Sequence, residues 1–376
     1  MSENRQSKSD KNPNRREFLS TATALGSVSL AYPAATRARS RAKVTHRPLG
    51  ANDRINLGFI GCGMQFHGLL SRAFTRRKEE ENDFEYAALC DVWQPRLDFA
   101  NETTGCKKLY RDYREMLARS DIDGVVVVAP DHWHFPMAKD ACEAGKDVYL
   151  EKPVTYTLAE AERLIGIVKE SGSVLQVGGS GPAEKLNWEI NKYLRSGKLG
   201  KIVWALTSYN RNTETSMWNY PIPGLGSRHW PEAEVAPGKN LDWDRWLGPA
   251  PKRSFSADRY FRWRKYWDYS DGNASDLLYH RLGTLLTMLG FDFPTRVSGM
   301  GGIYVQKDRE VPDTYMTMVE YPGDYTINMV STMANSTATP VAVYGNWGTL
   351  EVVSSTTQFG DSLGDPTQSD RPQRPR

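Results

Sequence analysis

Short apolar runs alternate with amphipathic stretches over residues 54–178. One run, within residues 121–130, is a continuous series of β-branched residues, which is typical of a strand buried on both faces. The predicted strands are Ile55–Ile60, Glu85–Cys90, the run within 121–130, Asp147–Leu150 and Val174–Val177, and the predicted helices continue from the first strand to about Arg77 and span 134–145 and 157–171. Strands that alternate with helices form right-handed βαβ units. The pattern predicts an α/β domain of the Rossmann type, with a doubly wound parallel sheet, over residues 54–178.

Beyond Gly200 the rhythm changes, because strand-like runs follow one another without helices between the later ones. The runs are Ile202–Tyr209, Arg296–Val305, Thr314–Tyr321, Tyr325–Met333 and Val341–Tyr344, and one helical stretch covers Ala274–Leu289. This order is typical of an antiparallel sheet in an α+β domain. We predict such a domain, with a mainly antiparallel open sheet, over residues 179–353. Two stretches are predicted to lack regular structure: a charged, solvated loop over Lys78–Asp83 and a long irregular segment over residues 210–270.

The two ends of the chain differ in composition from the rest. The pair Arg15-Arg16 precedes an uncharged stretch, Phe18–Thr36, and more arginines follow. This order is typical of a signal peptide, and the motif resembles the twin-arginine signal, whose export machinery carries folded proteins. We therefore predict a leader over residues 1–40 and a periplasmic or secreted protein. The alternative is a disordered basic tail with a chance arginine pair. Residues 354–376 are polar and rich in proline and arginine, and we predict disorder there.

Length, charge and cysteines narrow the classes of protein. A chain of 376 residues exceeds one ordinary hydrophobic core, which favours two domains. The formal net charge is +3, but residues 1–50 carry +7, so the remainder is slightly acidic and a general nucleic-acid role is disfavoured. The four cysteines have no CxxC spacing and no histidine cluster beside them. We predict neither a metal site nor a disulfide framework, and expect these cysteines to be buried apolar residues.

A glycine loop closes the first predicted strand and opens a helix. Gly61 and Gly63 there permit a tight turn and a close approach of backbone N–H groups to a pyrophosphate. Phe66 occupies the position of the third glycine in this motif, which should reshape the contact between helix and strand. Asp91 ends the second strand and is the acid expected on the adenosine ribose, which favours NAD over NADP. The alternative is an α/β turn that binds nothing.

Two further groups carry candidate chemistry. Glu151-Lys152-Pro153 follows the fourth strand, at the carboxyl edge where ligands bind in such sheets, so Lys152 can present its ammonium to a substrate hydroxyl. Asp276 and His280 are four residues apart and would share one face of a helix. Histidine changes charge near neutral pH, which suits removal of a proton from a carbinol. The alternatives are a surface lysine and a surface ion pair.

Taken together, these motifs resemble the Gfo/Idh/MocA family, named for glucose–fructose oxidoreductase and inositol dehydrogenase. The resemblance covers about residues 54–351 and rests on the glycine loop, Ala129–His134, Ala144–Lys146, Glu151–Pro153, Gln176–Gly178, Arg195–Ile202 and the segment from Asp276 to His280. It implies that Lys152 and His280 are the catalytic pair and that Asp276 assists them. The residues expected to bind the cofactor are Gly61, Gly63, Asp91, Pro130, His134, Glu151 and Lys152.

The chain departs from the family pattern Asp-x-Gly-x-His-x-x-Asp. Leu278 replaces the glycine and Gly283 replaces the final acid, which puts sugar preference in doubt. The family's second domain usually continues past the strand near Gly348–Leu350, so the final strands are expected to be missing, with exposed sheet edges as the consequence.

Seven of the eleven tryptophans lie between Trp204 and Trp267. Indoles pack on the C–H faces of sugars, and arginines bind hydroxyls or carboxylates. Tryptophans also form hydrophobic cores or subunit contacts. Sugar binding and a structural role are therefore both open interpretations of this segment. The polar and aromatic candidates in this segment are Arg228, His229, Trp230, Arg262, Trp263 and Arg264.

Three functional hypotheses follow. The first is an exported NAD-dependent oxidoreductase, expected to be a homo-oligomer, that acts on a sugar, polyol or sugar derivative, with His280 as general base and Lys152 polarising the hydroxyl. The second, implied by the family resemblance, is an NAD-dependent glycosidase that works by transient oxidation and elimination. The third is a non-catalytic homologue that binds a dinucleotide or sugar, suggested by Phe66 and Gly283.

Overall fold

Two six-stranded sheets organise the part of the chain that the computed structural model describes, which comprises residues 54–179, 181–213, 217–222 and 234–352. The predicted leader over residues 1–40, the predicted tail over 354–376 and the candidates Arg228, His229 and Trp230 lie outside these residues.

The first sheet is parallel throughout, with strand order β3-β2-β1-β4-β5-β6. Its strands are β1 (Ile55–Ile60), β2 (Phe84–Cys90), β3 (Leu109–Tyr110), β4 (Gly124–Val127), β5 (Asp147–Leu150) and β6 (Leu175–Val177). The order reverses between β1 and β4, and in open α/β sheets a ligand crevice lies at the carboxyl ends of the strands at such a switch point. The predicted Rossmann sheet is confirmed.

Helices connect these strands. They are α1 (Met64–Leu69), a π-helical turn (Leu70–Phe74), α2 (Thr75–Glu80), α3 (Gln94–Thr104), α4 (Tyr113–Leu117), α5 (His134–Glu143) and α6 (Leu158–Ser171). The predicted loop over Lys78–Asp83 is wrong in its first half, because α2 continues to Glu80. Ion pairs of Arg76 with Glu80 and of Arg77 with Glu81, four residues apart on the helix surface, support that last turn.

The core of the first half confirms that the β4 strand is buried on both faces, since all four of its residues are buried. Phe66 is fully buried and packs edge-on against Phe59, with ring centroids 5.5 Å apart. It therefore lies in the core beneath the glycine loop rather than in the crevice. The four cysteines are free and buried, as predicted.

The second sheet has strand order β12-β11-β7-β10-β9-β8 and is antiparallel except for the pair of β7 and β10. Its strands are β7 (Ile202–Ser208), β8 (Arg296–Gly302), β9 (Thr314–Tyr321), β10 (Tyr325–Thr332), β11 (Val341–Gly345) and β12 (Thr349–Val352). One face packs on helices and forms a core with Ile327 and Met329, whereas Met300, Met316 and Met318 are exposed. The mainly antiparallel sheet is confirmed.

The helices of the second half are α7 (Lys185–Arg195), α8 (Trp243–Leu247), α9 (Ala257–Phe261), α10 (Asn273–Asp276) and α11 (Leu278–Leu289). The single helix predicted over Ala274–Leu289 is interrupted at Leu277, where φ is −102°. Within the residues described, no helix is long and apolar enough to span a membrane.

The segment predicted to be irregular contains α8 and α9, and its part from residue 234 onward packs on the first half of the chain. Leu241 forms an isolated antiparallel bridge with Trp93, and Trp243 and Trp246 join Trp93 in one buried cluster. The indole N–H of Trp133 donates to the Trp246 carbonyl at 2.7 Å. These contacts make the segment a strap from the second half across the first.

Candidate active site

The glycine loop is fixed against the end of β4. Gly61 has a φ of +92°, and a Cβ atom on it would lie 2.2 Å from the carbonyl oxygen of Val128. Only glycine fits such a position without strain. The loop is also fastened to β2, because the backbone N–H of Cys62 donates to Asp91 Oδ2 at 2.8 Å. Backbone geometry within the first half therefore determines the shape of this loop.

The helix that follows the loop has the features of a dinucleotide site. Gly63 is the N-cap of α1 and has no side chain that could cap the first-turn N–H groups, which leaves these donors to an anion. The three atoms nearest to a Cβ on Gly63 would all belong to the Arg96 guanidinium, the first of them at 3.6 Å, so a cation lies beside this turn. The residues present thus fit the pyrophosphate of a dinucleotide.

Asp91 is only 6% exposed. Besides Cys62, its carboxylate accepts the backbone N–H of Trp93 at 2.9 Å, through Oδ1, and Arg96 Nη1 lies 4.0 Å from Oδ2. In this structure Asp91 organises the loop, and its contact with an adenosine ribose stays a prediction.

Lys152 and Asp276 bring the two halves of the chain together. The Lys152 ammonium donates to Asp276 Oδ1 at 2.6 Å and to the Asp276 carbonyl at 3.0 Å. The two side chains are 13% and 6% exposed, respectively, so the pair is largely removed from water. Next to Lys152, the Glu151 carboxylate accepts from Gln65 of α1 at 3.1 Å, which connects this turn with the helix after the glycine loop.

A second cation also faces Asp276. Arg264 Nε lies 3.3 Å from Asp276 Oδ2, and its guanidinium carbon lies 4.1 Å from the ring centroid of Trp263. Burial alone would raise the pKa of Asp276, but Lys152 and Arg264 outweigh burial and hold that pKa well below its usual range. Asp276 is therefore an ionised anchor for both cations.

His280 is a neutral imidazole at ordinary pH. Burial, and after it the charge of Lys152, lowers the pKa of His280 to about 4. Its ring lies 6.0 Å from the ring of Tyr209, which follows β7. Because the helix is interrupted at Leu277, Asp276 and His280 do not share one continuous helical face. The hydrogen bonds of the Asp276 carboxylate go to Lys152, so this carboxylate orients the lysine rather than the imidazole.

His134 supports the turn that carries Lys152. The ring nitrogens of His134 contact the carbonyl oxygen of Ala129, at 2.8 Å, and that of Pro153. Burial lowers the pKa of this histidine. Pro130 precedes a 3₁₀ turn over Asp131–Trp133. The structure thus places His134 as a brace between the end of β4 and the lysine turn, and contact of either residue with the cofactor stays a prediction.

Sequence reasoning missed several polar groups in this region. Asp131 is 2% exposed, and burial, followed by the charge of Asp276, raises the pKa of Asp131 to about 7. The only signal in the sequence was its place in the run Ala129–His134. Arg211 and Arg281, which flank Tyr209, gave no local signal.

The tryptophans of this segment differ in burial. Trp218, Trp243 and Trp246 are buried, so the sugar-stacking interpretation is wrong for these three. Trp263 is half-buried beside Arg264, and Trp267 is exposed. These two keep the sugar interpretation open.

Sequence comparison agrees with this geometry. Residues 55–179 match the model of an oxidoreductase family with an NAD-binding Rossmann fold, and residues 185–323 match the C-terminal α/β domain of an oxidoreductase family. D-apiose dehydrogenase of Paraburkholderia graminis is 28% identical over 42% of this chain and 40% of its own length. An α-N-acetylgalactosaminidase of Shewanella oneidensis is 25% identical over 57% of this chain and 54% of its own. The chain thus spans about half the length of these relatives, or less.

Solved structures share the fold. The dehydrogenase WlbA of Bordetella pertussis, in complex with NADH and UDP-GlcNAcA, superposes with a TM-score of 0.60 over 80% of this chain and 79% of its own, at 18% identity. A levoglucosan dehydrogenase in complex with NADH gives a TM-score of 0.58 over 80% and 73%, at 18% identity. The family models confirm NAD as the cofactor and confirm the resemblance found in the sequence. The chain therefore belongs to the Gfo/Idh/MocA family of oxidoreductases.

Proposed function

We propose that this protein oxidises a carbinol of a sugar, polyol or sugar derivative, or reduces the corresponding carbonyl. The observation that carries the proposal is the meeting of Lys152 with Asp276, beside a neutral His280, in one buried site built from both halves of the chain. Bound NAD⁺ supplies the acceptor for the hydride that leaves the carbinol carbon.

The residues of the chain handle the proton and the oxygen. His280, kept neutral by burial and by Lys152, takes the hydroxyl proton as the carbinol becomes a carbonyl. The Lys152 ammonium donates a hydrogen bond to the same oxygen and stabilises the negative charge that develops there. Asp276 holds that ammonium in place, so its own contribution is to position Lys152.

The names of relatives support a sugar-related substrate. D-apiose dehydrogenase and inositol 2-dehydrogenase are among the similar proteins, the second at 26% identity over 47% of this chain. Arg264, which contacts Asp276, stacks on one face of Trp263, and the opposite face of this partly buried indole is the candidate surface for the C–H face of a sugar.

The decisive experiment is His280→Ala in protein loaded with NAD⁺. We expect turnover of an identified sugar or polyol to fall by roughly 10²–10⁴, while NADH titration is unchanged, because general-base catalysis contributes about that much. Retention of wild-type turnover by this variant would remove His280 from the mechanism.

A second function, glycoside cleavage, is favoured by a specific observation. Glycosyl hydrolase family 109 proteins of Shewanella are among the relatives, at 33% identity over 30% of this chain. The same base and lysine would serve a transient oxidation followed by elimination of the aglycone. Cleavage of an aryl glycoside without consumption of added NAD⁺ would select this function, whereas net NADH formation would select the oxidoreductase. Phe66 lies in the core, so it no longer motivates the non-catalytic hypothesis.

We propose export by the twin-arginine machinery on the basis of Arg15 and Arg16. Cell fractionation should find the native chain outside the cytoplasm and a variant carrying Arg15→Lys and Arg16→Lys inside it. Assembly into a homo-oligomer stays a prediction that light scattering can test.

A further inference from the structure

Two arginines flank the proposed general base. Arg211 follows β7, and Arg281 is the neighbour of His280 in α11. Both guanidinium groups lie over the ring of Tyr209, at 5.6 and 5.0 Å from its centroid. The His280 ring lies 6.0 Å from the same ring. One tyrosine thus gathers two cations and the imidazole into a single cluster.

Only some of the cationic side chains near His280 form an ion pair with a carboxylate in the described part of the chain. Lys152 and Arg264 pair with Asp276. In the described part of the chain, by contrast, neither Arg211 nor Arg281 has a carboxylate within salt-bridge distance, and the Nε atom of each is buried without a hydrogen-bond partner. Each arginine is partly buried, and its guanidinium stacks on the ring of Tyr209. Charged groups inside a protein are ordinarily paired, so these two guanidinium groups offer a binding site to an anion from outside the protein.

Within α11 no carboxylate compensates the charge of Arg281. The family pattern has an acid at the position of Gly283, on the same helix as Arg281. The glycine there contributes none. Burial also lowers the pKa of Arg281, although a guanidinium stays protonated at any ordinary pH. Both arginines place positive charge near His280, where it helps to lower the pKa of that histidine.

The cofactor's pyrophosphate has its own fitting site, at the first turn of α1 after Gly63. Arg211 and Arg281 belong to the second half of the chain and lie beside His280. We propose that Arg211 and Arg281 bind the anionic group, a carboxylate or a phosphate, of an acidic sugar whose carbinol reaches His280. Guanidinium groups bind both kinds of oxyanion through paired hydrogen bonds. This inference rests on the proposed function for the identity of the ligand as a sugar.

Binding to the NADH-loaded protein tests the inference without turnover. Calorimetric titration would compare D-glucuronate with D-glucose, D-galacturonate with D-galactose, and D-glucose 6-phosphate with D-glucose. The first two pairs test a carboxylate and the third a phosphate. The variants are Arg211→Gln and Arg281→Gln, with Arg281→Lys to keep the charge. Arg195→Gln, on an exposed part of α7, is the matched control.

We expect the wild-type protein to bind at least one acidic sugar roughly tenfold or more tightly than its neutral partner, and each glutamine variant to lose roughly ten- to hundredfold of that affinity. Arg281→Lys should retain part of it, and Arg195→Gln all of it. NADH affinity should be unchanged in every variant, which also shows that the variants are folded.

Absence of an acidic preference in all three pairs would overturn the inference. So would variants that weaken NADH binding but leave the sugar preference intact, because the arginines would then serve the cofactor. Arginine-dependent binding of an acidic sugar that is never oxidised would support this inference and contradict the proposed function.

Discussion

The two ends of the candidate site are built in different ways. At the glycine loop, backbone groups and one buried carboxylate, Asp91, fix the geometry, and all of them belong to the first half of the chain. At the other end, Lys152 comes from the first half and Asp276 and His280 from the second, and side-chain contacts hold them together. The glycine loop is thus fixed by contacts within the first half, whereas the proposed chemistry requires residues from both halves.

The largest expected effect is that of Lys152→Met, which removes the ammonium but keeps an unbranched side chain. This variant tests whether the catalytic end of the site can be impaired without affecting the glycine loop. We expect kcat to fall by roughly 10²–10⁴, because stabilisation of the developing oxyanion is lost, while the Kd for NADH changes by less than about threefold. Steady-state kinetics and NADH fluorescence titration measure the two quantities. Lys192→Met, at a 72% exposed lysine, is the control. A large loss of NADH affinity in Lys152→Met would show that the two ends are not separable.

Gly61→Ala should affect the opposite end. Its Cβ would lie 2.2 Å from a backbone oxygen at a φ of +92°, so we expect about 2–5 kcal/mol of lost stability and weakened NADH binding. Urea unfolding and NADH titration measure both. Gly166→Ala, within α6 where the added Cβ meets nothing within 4 Å, should be neutral or slightly stabilising. Unfolding midpoints that coincide for Gly61→Ala and the native protein would contradict the rigid loop.

Asp131→Asn tests whether Asp131, near Asp276, makes the stability of the folded protein depend on pH. The pKa of Asp131 is raised from 3.8 to about 7, so the folded state holds a proton that the unfolded state has lost in that range. Stability of the native protein should therefore fall by about 2 kcal/mol between pH 5 and pH 7 from this group. The variant lacks this slope. If the unfolding temperatures of the native protein and the variant change with pH in the same way, the raised pKa of Asp131 is excluded.

The smallest effect concerns the pH profile of kcat/KM. With the pKa of His280 lowered to about 4, the base stays unprotonated, and activity should be retained as the pH falls from 8 to 5. A histidine with an ordinary pKa would lose activity near pH 6.5. A decline near pH 7 that disappears in Asp131→Asn would assign the titration to Asp131 instead.

Sequence patterns predicted the two sheets well, because a buried strand needs a continuous or alternating run of apolar residues, such as that of β4. They failed where contacts distant in sequence decide the structure. The packing of Trp243 and Trp246 on Trp93 depends on the other half of the chain. Leu277, where the helix is interrupted, is buried in one cluster with Trp218, Val311 and Met333, which are distant from it in sequence. No local pattern signals such contacts.

The candidate site shows the same division. Gly61 could be predicted because a tight turn at a strand end requires glycine. Lys152 and Asp276 could each be suggested, but their direct pairing could not, since 124 residues separate them. The raised pKa of Asp131 likewise depends on burial by residues from both halves, which no local spacing reveals.

The strap makes the folding of the first half depend on residues of the second half. The Trp246 carbonyl accepts the hydrogen bond of the Trp133 indole N–H, and the strap also covers Trp93. A downstream stretch of chain thus supplies part of the interior of the upstream nucleotide-binding fold. A fragment cut after residue 179 would present these indoles to solvent. The boundary suggested by the linear order of domains is therefore not a place where this protein can be divided into self-sufficient pieces.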